Sequence, residues 1–234
     1  MIWLVLFVSL AIIVFLLWWL LIRTEGVYLG KRVVIWLYDI YAVRYDSIVQ
    51  HDDIEEHLYL AIPIMQRISP ETQPFVLDVA TGTGRMPLAL CQHAAFDGQI
   101  YAFDLSQEML KQAVKKIADN HFESFVAFGL ANGQKLPFAD DIFDIVTCME
   151  ALEFMPHPDE GLKELVRVLC PNGLLLITRR LNEPMMPTRL WSQEYMAQAL
   201  ENMGIEQIEF DVWQYDYEKV WGIKSLKQHP IDKS

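Results

Sequence analysis

The sequence predicts an α/β protein with a doubly wound, seven-stranded sheet and an antiparallel terminal strand, preceded by one N-terminal transmembrane helix. Three observations predict it. Strand and helix patterns alternate from Pro74 onward. A glycine turn, "VATGTGR", joins the first strand to the first helix. The run "MIWLVLFVSLAIIVFLLWWLLIR" carries no charge before Arg23.

At about 1.5 Å per residue that run spans a hydrocarbon core of roughly 30 Å. A signal peptide would want a basic start, a shorter apolar stretch and a small-residue cleavage site. Trp18 and Trp19 suit an aromatic belt at a membrane interface. Arg23, Lys31, Arg32 and Arg44 follow the run, so the positive-inside rule places the rest of the chain on the cytoplasmic side. Residues 1–23 therefore read as an anchor, 24–73 as a helical lead, 74–226 as the α/β domain and 227–234 as a tail.

In the lead, Val33, Trp36, Leu37 and Ile40 recur at helical spacing. This helix either lies at the membrane interface or packs over the domain. "HDDIEEHLYLAIPIMQRI" reads as a second helix with an acidic start, kinked near Pro63. His51 and His57 stand six apart, off any shared helix face, and read as solvated surface rather than metal ligands.

"FVLDVA" reads as the first strand and "RMPLALCQHAA" as its helix, with Pro87 tolerated in the first turn. "GQIYAFDL" is the second strand. "SQEMLKQAVKKIADN" is a helix with Ser106 as N-cap and lysines toward its end. "FESFVAFGLA" and "FDIVTCMEAL" hold the third and fourth strands. "DEGLKELVRVL" is a helix that "CPNG" turns into the fifth strand, "LLLITRR". "SQEYMAQALENMG" is a helix ending at Gly204, and "IEQIEFDVW" and "YEKVWGIK" close the sheet as an antiparallel edge.

The chain has 234 residues, 53% of them apolar, and a formal net charge of −12. So acidic a body repels phosphate backbones and argues against nucleic acid as a partner. Cys91, Cys148 and Cys170 are sparse, odd in number and without zinc spacing, as suits a reducing compartment; no metal site is expected.

In doubly wound sheets ligands bind beyond the C-terminal strand ends, so the glycine turn lies at the site. Gly82 and Gly84 let the backbone bend and approach a ligand closely. The dinucleotide fingerprint fails, because its third glycine would be Pro87; a P-loop fails because Gly84-Arg85-Met86 replaces Gly-Lys-Ser/Thr. Asp78 at the end of the first strand suits an ammonium rather than a pyrophosphate. Asp104, closing the second strand, can accept two hydrogen bonds from a ribose diol. Ammonium, ribose and no phosphate describe S-adenosylmethionine.

"VLDVATGTGR" resembles motif I of the class I S-adenosylmethionine-dependent methyltransferases. "YAFDLSQEML" is similar to the segment that follows it there. "LPFADDIFDIVTCMEALEFMPHPDEGLKELVRVLCPNGLLLIT" is similar to the later motifs, and "YDIYAVRYD" to the lead-in helix. The likeness covers residues 38 to 180 and is strongest to the quinone-biosynthesis and small-molecule group. It implies a Rossmann-like sheet and S-adenosylmethionine as cofactor. It also implies that Asp78, Ala80, Gly82 and Gly84 hold the methionine end. Asp104 would bind the ribose, with Leu105 and Met109 against the adenine. Asn132 stands where the family often has an aspartate contacting the adenine amino group, and keeps a carbonyl acceptor for it. Met149 would lie beside the methionine end. Ala80 replaces a frequent glycine. Each polar position has a plainer reading: Asp78 and Asp104 as helix-cap acceptors, Asn132 as a turn residue.

Methyl transfer needs alignment and exclusion of water, and a base only if the acceptor must lose a proton. Glu150, Glu153 and His157 are candidate bases, and none is singled out. Arg179, Arg180, Met185, Met186 and Trp191 mix cation and soft apolar surface after the fifth strand. They suit either plain packing or an amphipathic, small-molecule or lipid-like acceptor. The rival functions are a non-catalytic, membrane-tethered protein on the same fold and an NAD(P) oxidoreductase.

Overall fold

The computed structural model describes residues 1–49, 52–68, 73–181 and 191–226. Helix α1 (Ile2–Trp18) continues through a π-helical turn at Trp19–Arg23 and buries none of its residues. Together these residues are long and apolar enough to cross a membrane. Thr24 stops the helix, its hydroxyl donating to the Leu20 carbonyl, and the chain turns back at Gly26 with φ +72°. A Cβ at Gly26 would lie 2.9 Å from Val33 Cγ1 and 3.0 Å from Leu37 Cδ1, so only glycine lets the corner close onto the next helix. That helix is α2 (Lys31–Tyr41), followed by a 3₁₀ turn (Ala42–Arg44) and α3 (Tyr45–Val49).

Helix α4 (Asp53–Glu56), a π-helical turn (His57–Ala61) and α5 (Ile62–Arg67) form one path. Asp52 caps it through the Ile54 N–H at 2.8 Å. The expected kink at Pro63 is replaced by the π turn just before it. His57 also departs from expectation: it is half-buried and stacks on His93 at 5.4 Å, whereas His51 lies outside the described residues.

The strands are β1 (Phe75–Val79), β2 (Gln99–Asp104), β3 (Val126–Leu130), β4 (Phe143–Cys148), β5 (Leu169–Arg180), β6 (Ile205–Val212) and β7 (Tyr217–Lys224). Between them run α6 (Arg85–Cys91), α7 (Gln107–Asp119), α8 (Pro158–Val168) and α9 (Gln193–Asn202). The sheet order is β3-β2-β1-β4-β5-β7-β6. Pairings are parallel from β3 to β5, and β7 is antiparallel to both its neighbours. The antiparallel strand is therefore inserted inside the sheet rather than laid at its rim. The β6–β7 hairpin folds inward, filling the space beside β5 and leaving β6 as the edge. β5 also begins earlier than expected: the "CPNG" turn becomes irregular strand, with Asn172 at φ +63° and a register shift against β4.

Alternate strand residues feed two cores, as a period of two requires. Val76, Leu174 and Leu176 pack with Leu60, Ile64, Met86 and Leu90 from the lead and α6. Leu77, Leu175 and Ile177 pack with Leu162, Leu165, Met196 and Leu200 from α8 and α9. Because the chain leaves β1 and β4 toward opposite faces, a crevice opens beyond their C-terminal ends.

Candidate active site

Asp78 is the penultimate residue of β1 and is 2% exposed. The Thr147 hydroxyl on β4 donates to its Oδ1 at 2.6 Å. Its Oδ2 and the Thr81 hydroxyl are both buried without a hydrogen-bond partner, an unusual state for polar atoms in a folded core. Burial pushes the carboxyl up from 3.8 to about 6, opposed by the neighbouring Thr147 and Thr81 hydroxyls.

The turn after β1 runs through three left-handed residues: Ala80 at φ +58°, Gly82 at +56° and Gly84 at +81°. A Cβ on Gly82 would meet nothing within 4 Å, so the backbone there faces open space. A Cβ on Gly84 would come within 3.0 Å of Ala113 Cβ, so this glycine lets α6 and α7 approach each other. Ala80 adopts its positive φ at a position where the side chain is strained.

Asp104 ends β2 and stitches the turn to the next helix. Its Oδ2 accepts from the Gly82 N–H and its Oδ1 from the Ser106 N–H, both at 2.8 Å. Burial raises its pKa, and these backbone donors counter the shift. Ser106 caps α7 through the Met109 N–H at 3.1 Å and donates its own proton to Asp39 of α2 at 2.5 Å. Asn132 Oδ1 accepts from the Gln134 N–H at 3.2 Å, so the turn role of this residue is present.

Two adjoining spaces result. The larger crevice is lined by Ala80, Gly82, Asp104, Leu105 and Asn132, and roofed by Lys31, Val34, Ile35 and Tyr38 of α2. A recess beside it is lined by Asp78, Thr81, Gly82, Arg85, Met149 and Glu150. Tyr45, Ala80 and Gly82 border both. The structure thus brings together Asp78, Ala80, Gly82, Asp104, Leu105, Asn132 and Met149. Gly84 stands behind the turn as a packing residue. Met109 is 1% exposed in the core and lines neither space.

The sequence motifs do not reveal the roof, nor Thr81. The four-residue recurrence of Lys31, Ile35 and Tyr38–Asp39 in α2 is the only signal that could have found the roof. Of the candidate bases, Glu150 borders the recess, paired with Arg85 at 2.8 Å. Arg85 also approaches Glu56 at 3.4 Å and lies over Trp213 at 4.9 Å. Glu153 is buried and accepts from the Tyr217 hydroxyl; burial pushes it up to about 7. His157 is exposed before α8. Arg180 is buried over the rings of Phe154 and Tyr217, and Arg179 pairs with Glu218 at 2.5 Å. Met185 and Met186 lie outside the described residues. Among the described residues no cluster of side chains suits a metal ion.

Residues 77–177 match the family model described as a methyltransferase domain. Its span contains every residue that the sequence assigns to the cofactor. The domain belongs to the class I S-adenosylmethionine-dependent methyltransferases. The chain is 33% identical over 158 residues to a ubiquinone/menaquinone biosynthesis C-methyltransferase, UbiE, of Pseudomonas putida (strain GB-1), covering 66% of this chain and 59% of that protein. A demethylmenaquinone methyltransferase of Desulfitobacterium hafniense (strain Y51) is 29% identical over 123 residues, 53% of this chain and 48% of that protein. The chain therefore spans less than two thirds of the length of the curated relatives it matches. Among solved structures, phosphoethanolamine N-methyltransferase 2 of Haemonchus contortus, bound to S-adenosylhomocysteine, superposes with a TM-score of 0.59 at 16% identity, over 72% of this chain and 52% of that one. The [4+2]-cyclase SpnF superposes with a TM-score of 0.62 at 20% identity, over 74% of this chain and 81% of that one. These likenesses establish the shared fold.

Proposed function

We propose that this protein is a membrane-anchored enzyme that transfers a methyl group from S-adenosylmethionine to a lipid-like small molecule, with a quinol-type acceptor as the leading class. The observation that carries the reading is the juxtaposition at the β1/β4 switch point. There Asp78 Oδ2 and the Thr81 hydroxyl are buried and unpartnered beside a glycine backbone open to the crevice. These groups fit the cofactor's polar end, since a buried carboxylate oxygen left unpaired is costly until a cation or donor meets it.

On this reading Asp78, Ala80, Thr81 and Gly82 hold the methionine end, with Met149 beside it. Asp104 keeps lone pairs beyond those taken by Gly82 and Ser106 and accepts from the ribose hydroxyls. Leu105 lies against the adenine, and Asn132 accepts from its amino group. Gly84 acts through packing between α6 and α7, and Met109 through the core beneath α7. When bound, the cofactor supplies an electrophilic methyl on a sulfonium. The chain's part is to align the acceptor in line and exclude water. Tyr38 and Tyr45, both buried enough that their hydroxyls stay protonated, close the crevice from above.

Residues 1–23 form the anchor, 24–73 the lead and 74–226 the catalytic domain, which sits on the cytoplasmic side. Quinol-type acceptors are favoured by the family's C-methyltransferase members and by the apolar lead beside the crevice. The test uses the full-length chain in lipid nanodiscs with methyl-labelled S-adenosylmethionine and membrane extracts. Label recovered in the quinone or lipid fraction supports the reading. Tight cofactor binding with no label in any fraction overturns it in favour of a non-catalytic member of the fold.

A further inference from the structure

We infer that the outer face of α2 and of the 3₁₀ turn that follows it is a bilayer-docking surface: Trp36, Ile40 and Val43, flanked by Arg32 and Arg44, lie in the headgroup region of an anionic leaflet while the inner face of α2 roofs the crevice. The inference rests on the anchor reading of α1.

Three groups of observations carry it. The first is the split of α2 and the 3₁₀ turn after it into two working faces. Val34, Ile35 and Tyr38 line the crevice, whereas Trp36, Ile40 and Val43 are 55%, 54% and 77% exposed. Trp36, Ile40 and Val43 follow one another at four- and three-residue steps, which places them in one stripe. A large exposed apolar stripe with a tryptophan is unusual beside water alone and suits an interfacial helix.

The second is the direction of the charges. The chain is strongly acidic overall, yet the acids of this segment are all engaged by groups of the segment or of the domain. Glu25 accepts from the Tyr38 hydroxyl at 2.6 Å, Asp39 from the Ser106 hydroxyl at 2.5 Å, and Asp46 pairs with Lys116 at 2.7 Å. Arg32 and Arg44, one turn before Trp36 and one turn after Ile40, are exposed. The outward face of the segment is therefore apolar with basic ends, the pattern that anionic headgroups attract.

The third is position. Tyr28 stacks on Trp19, near the end of the apolar span, at 5.5 Å, and Gly26 packs against Val33 and Leu37. The beginning of α2 is thus held at the end of α1 by packed side chains rather than by a loose linker. With α1 across the bilayer, α2 starts at the level of the headgroups, where tryptophan and tyrosine prefer to sit. A bilayer surface is continuous with the span already proposed; a second protein would need a separate reason to meet this face.

The experiment places a photoreactive benzoylphenylalanine singly at positions 36, 40 and 43 of the full-length chain in nanodiscs of phosphatidylcholine and phosphatidylglycerol. The same residue goes at Phe7, inside the span, and at Leu130, an exposed apolar residue on β3. Mass spectrometry reads the lipid adducts after irradiation. Adducts at 36, 40 and 43 at yields comparable to Phe7, with background at Leu130, are expected. Adducts at Phe7 but only background at 36, 40 and 43 would overturn the docking face and leave the anchor standing. Background at Phe7 as well would overturn the anchor reading itself. Cross-links from 36, 40 or 43 to a second copy of the chain, in place of lipid, would make the face a protein interface and overturn the inference.

Discussion

Burial holds the Asp78 carboxyl at about 6, above its ordinary 3.8, and the same cause lifts Glu56 and Glu153 to about 7. The native state then binds more protons than the unfolded chain through this window, so stability falls as pH rises and the full cost is present above the folded values. Ligand-free protein is expected to melt at a higher temperature near pH 5.5 than near pH 8, readable by thermal denaturation at about these two pH values. Asp78→Asn should flatten part of that slope and stabilise the ligand-free protein at the higher pH. The same substitution should weaken S-adenosylmethionine roughly tenfold or more, because a charged hydrogen-bond partner contributes about 1.5–3 kcal/mol. Wild-type affinity should rise with pH through about 6, since a cationic ligand favours the ionised Asp78. Calorimetry at both pH values checks this; a variant that binds as well as wild type removes Asp78 from the methionine end.

On the proposed reading Asp104 and Asn132 each do two jobs, one in the turn and one toward the cofactor. Asp104→Ala should lower affinity for the cofactor and its demethylated product about ten- to a hundredfold. It should also lower the melting temperature, because the Gly82 and Ser106 N–H groups lose their acceptor. A fall in stability with unchanged affinity would leave Asp104 as a stitch in the turn and nothing more. For Asn132, aspartate keeps an acceptor for both the Gln134 N–H and the adenine amino group, whereas leucine keeps neither. Asn132→Asp should therefore bind about as well as wild type and Asn132→Leu clearly worse.

At the scale of elements, the close passage of α6 and α7 depends on Gly84. Gly84→Ala places a Cβ 3.0 Å from Ala113 Cβ at a backbone φ of +81°, a combination of contact and strain that should cost roughly 1–3 kcal/mol. Urea denaturation measures it, and a loss within error of zero would mean that the helices part more easily than their packing implies. Most of the sheet was legible because period-two runs and turn residues are local signals: β1 to β4 lie within "FVLDVA", "GQIYAFDL", "FESFVAFGLA" and "FDIVTCMEAL". The place of β7 was not legible. Strand order is decided by which face the hairpin buries, and "YEKVWGIK" reads the same at an edge or one strand in from it. The glycine turn, Asp78 and Asp104 carried the site in sequence because a tight turn beside acids has few other uses. The roof did not. Tyr38 and Lys31 reach the crevice only through the packing of α2 on α7, and nothing in their own spacing separates that from an ordinary amphipathic helix. Met109, in the first turn of α7, rotates into the core and lines neither space.

For the whole molecule, the exposed apolar helix ends at Arg23 and the packed body begins at the next residue. Thr24 is fully buried, Glu25 bonds to Tyr38, and Val27 is 4% exposed, so residues from 24 onward belong to the body of the protein. Deleting residues 1 to 23 should leave cofactor affinity intact and lower methylation of a membrane-resident acceptor more than that of a water-soluble analogue, since tethering acts on effective concentration. The assay compares both forms on both acceptors at matched concentration. Equal losses on the two acceptors would mean that the anchor does something other than deliver substrate.

The packed corner at Gly26 has a mechanical consequence. A chain joined to its anchor by a slack linker keeps its orientation when the bilayer changes; one joined by a wedged elbow turns with it. Transmembrane helices answer a thinner membrane by tilting; if α1 spans the bilayer as proposed, its tilt would carry the crevice mouth with it relative to the lipid plane. Turnover of a bilayer-dissolved acceptor should then vary with acyl-chain length across a series of nanodiscs while cofactor affinity stays flat. Replacing the elbow residues Thr24–Leu29 with a glycine-serine spacer should erase the dependence. Membrane thickness would in this way set the aim of the enzyme.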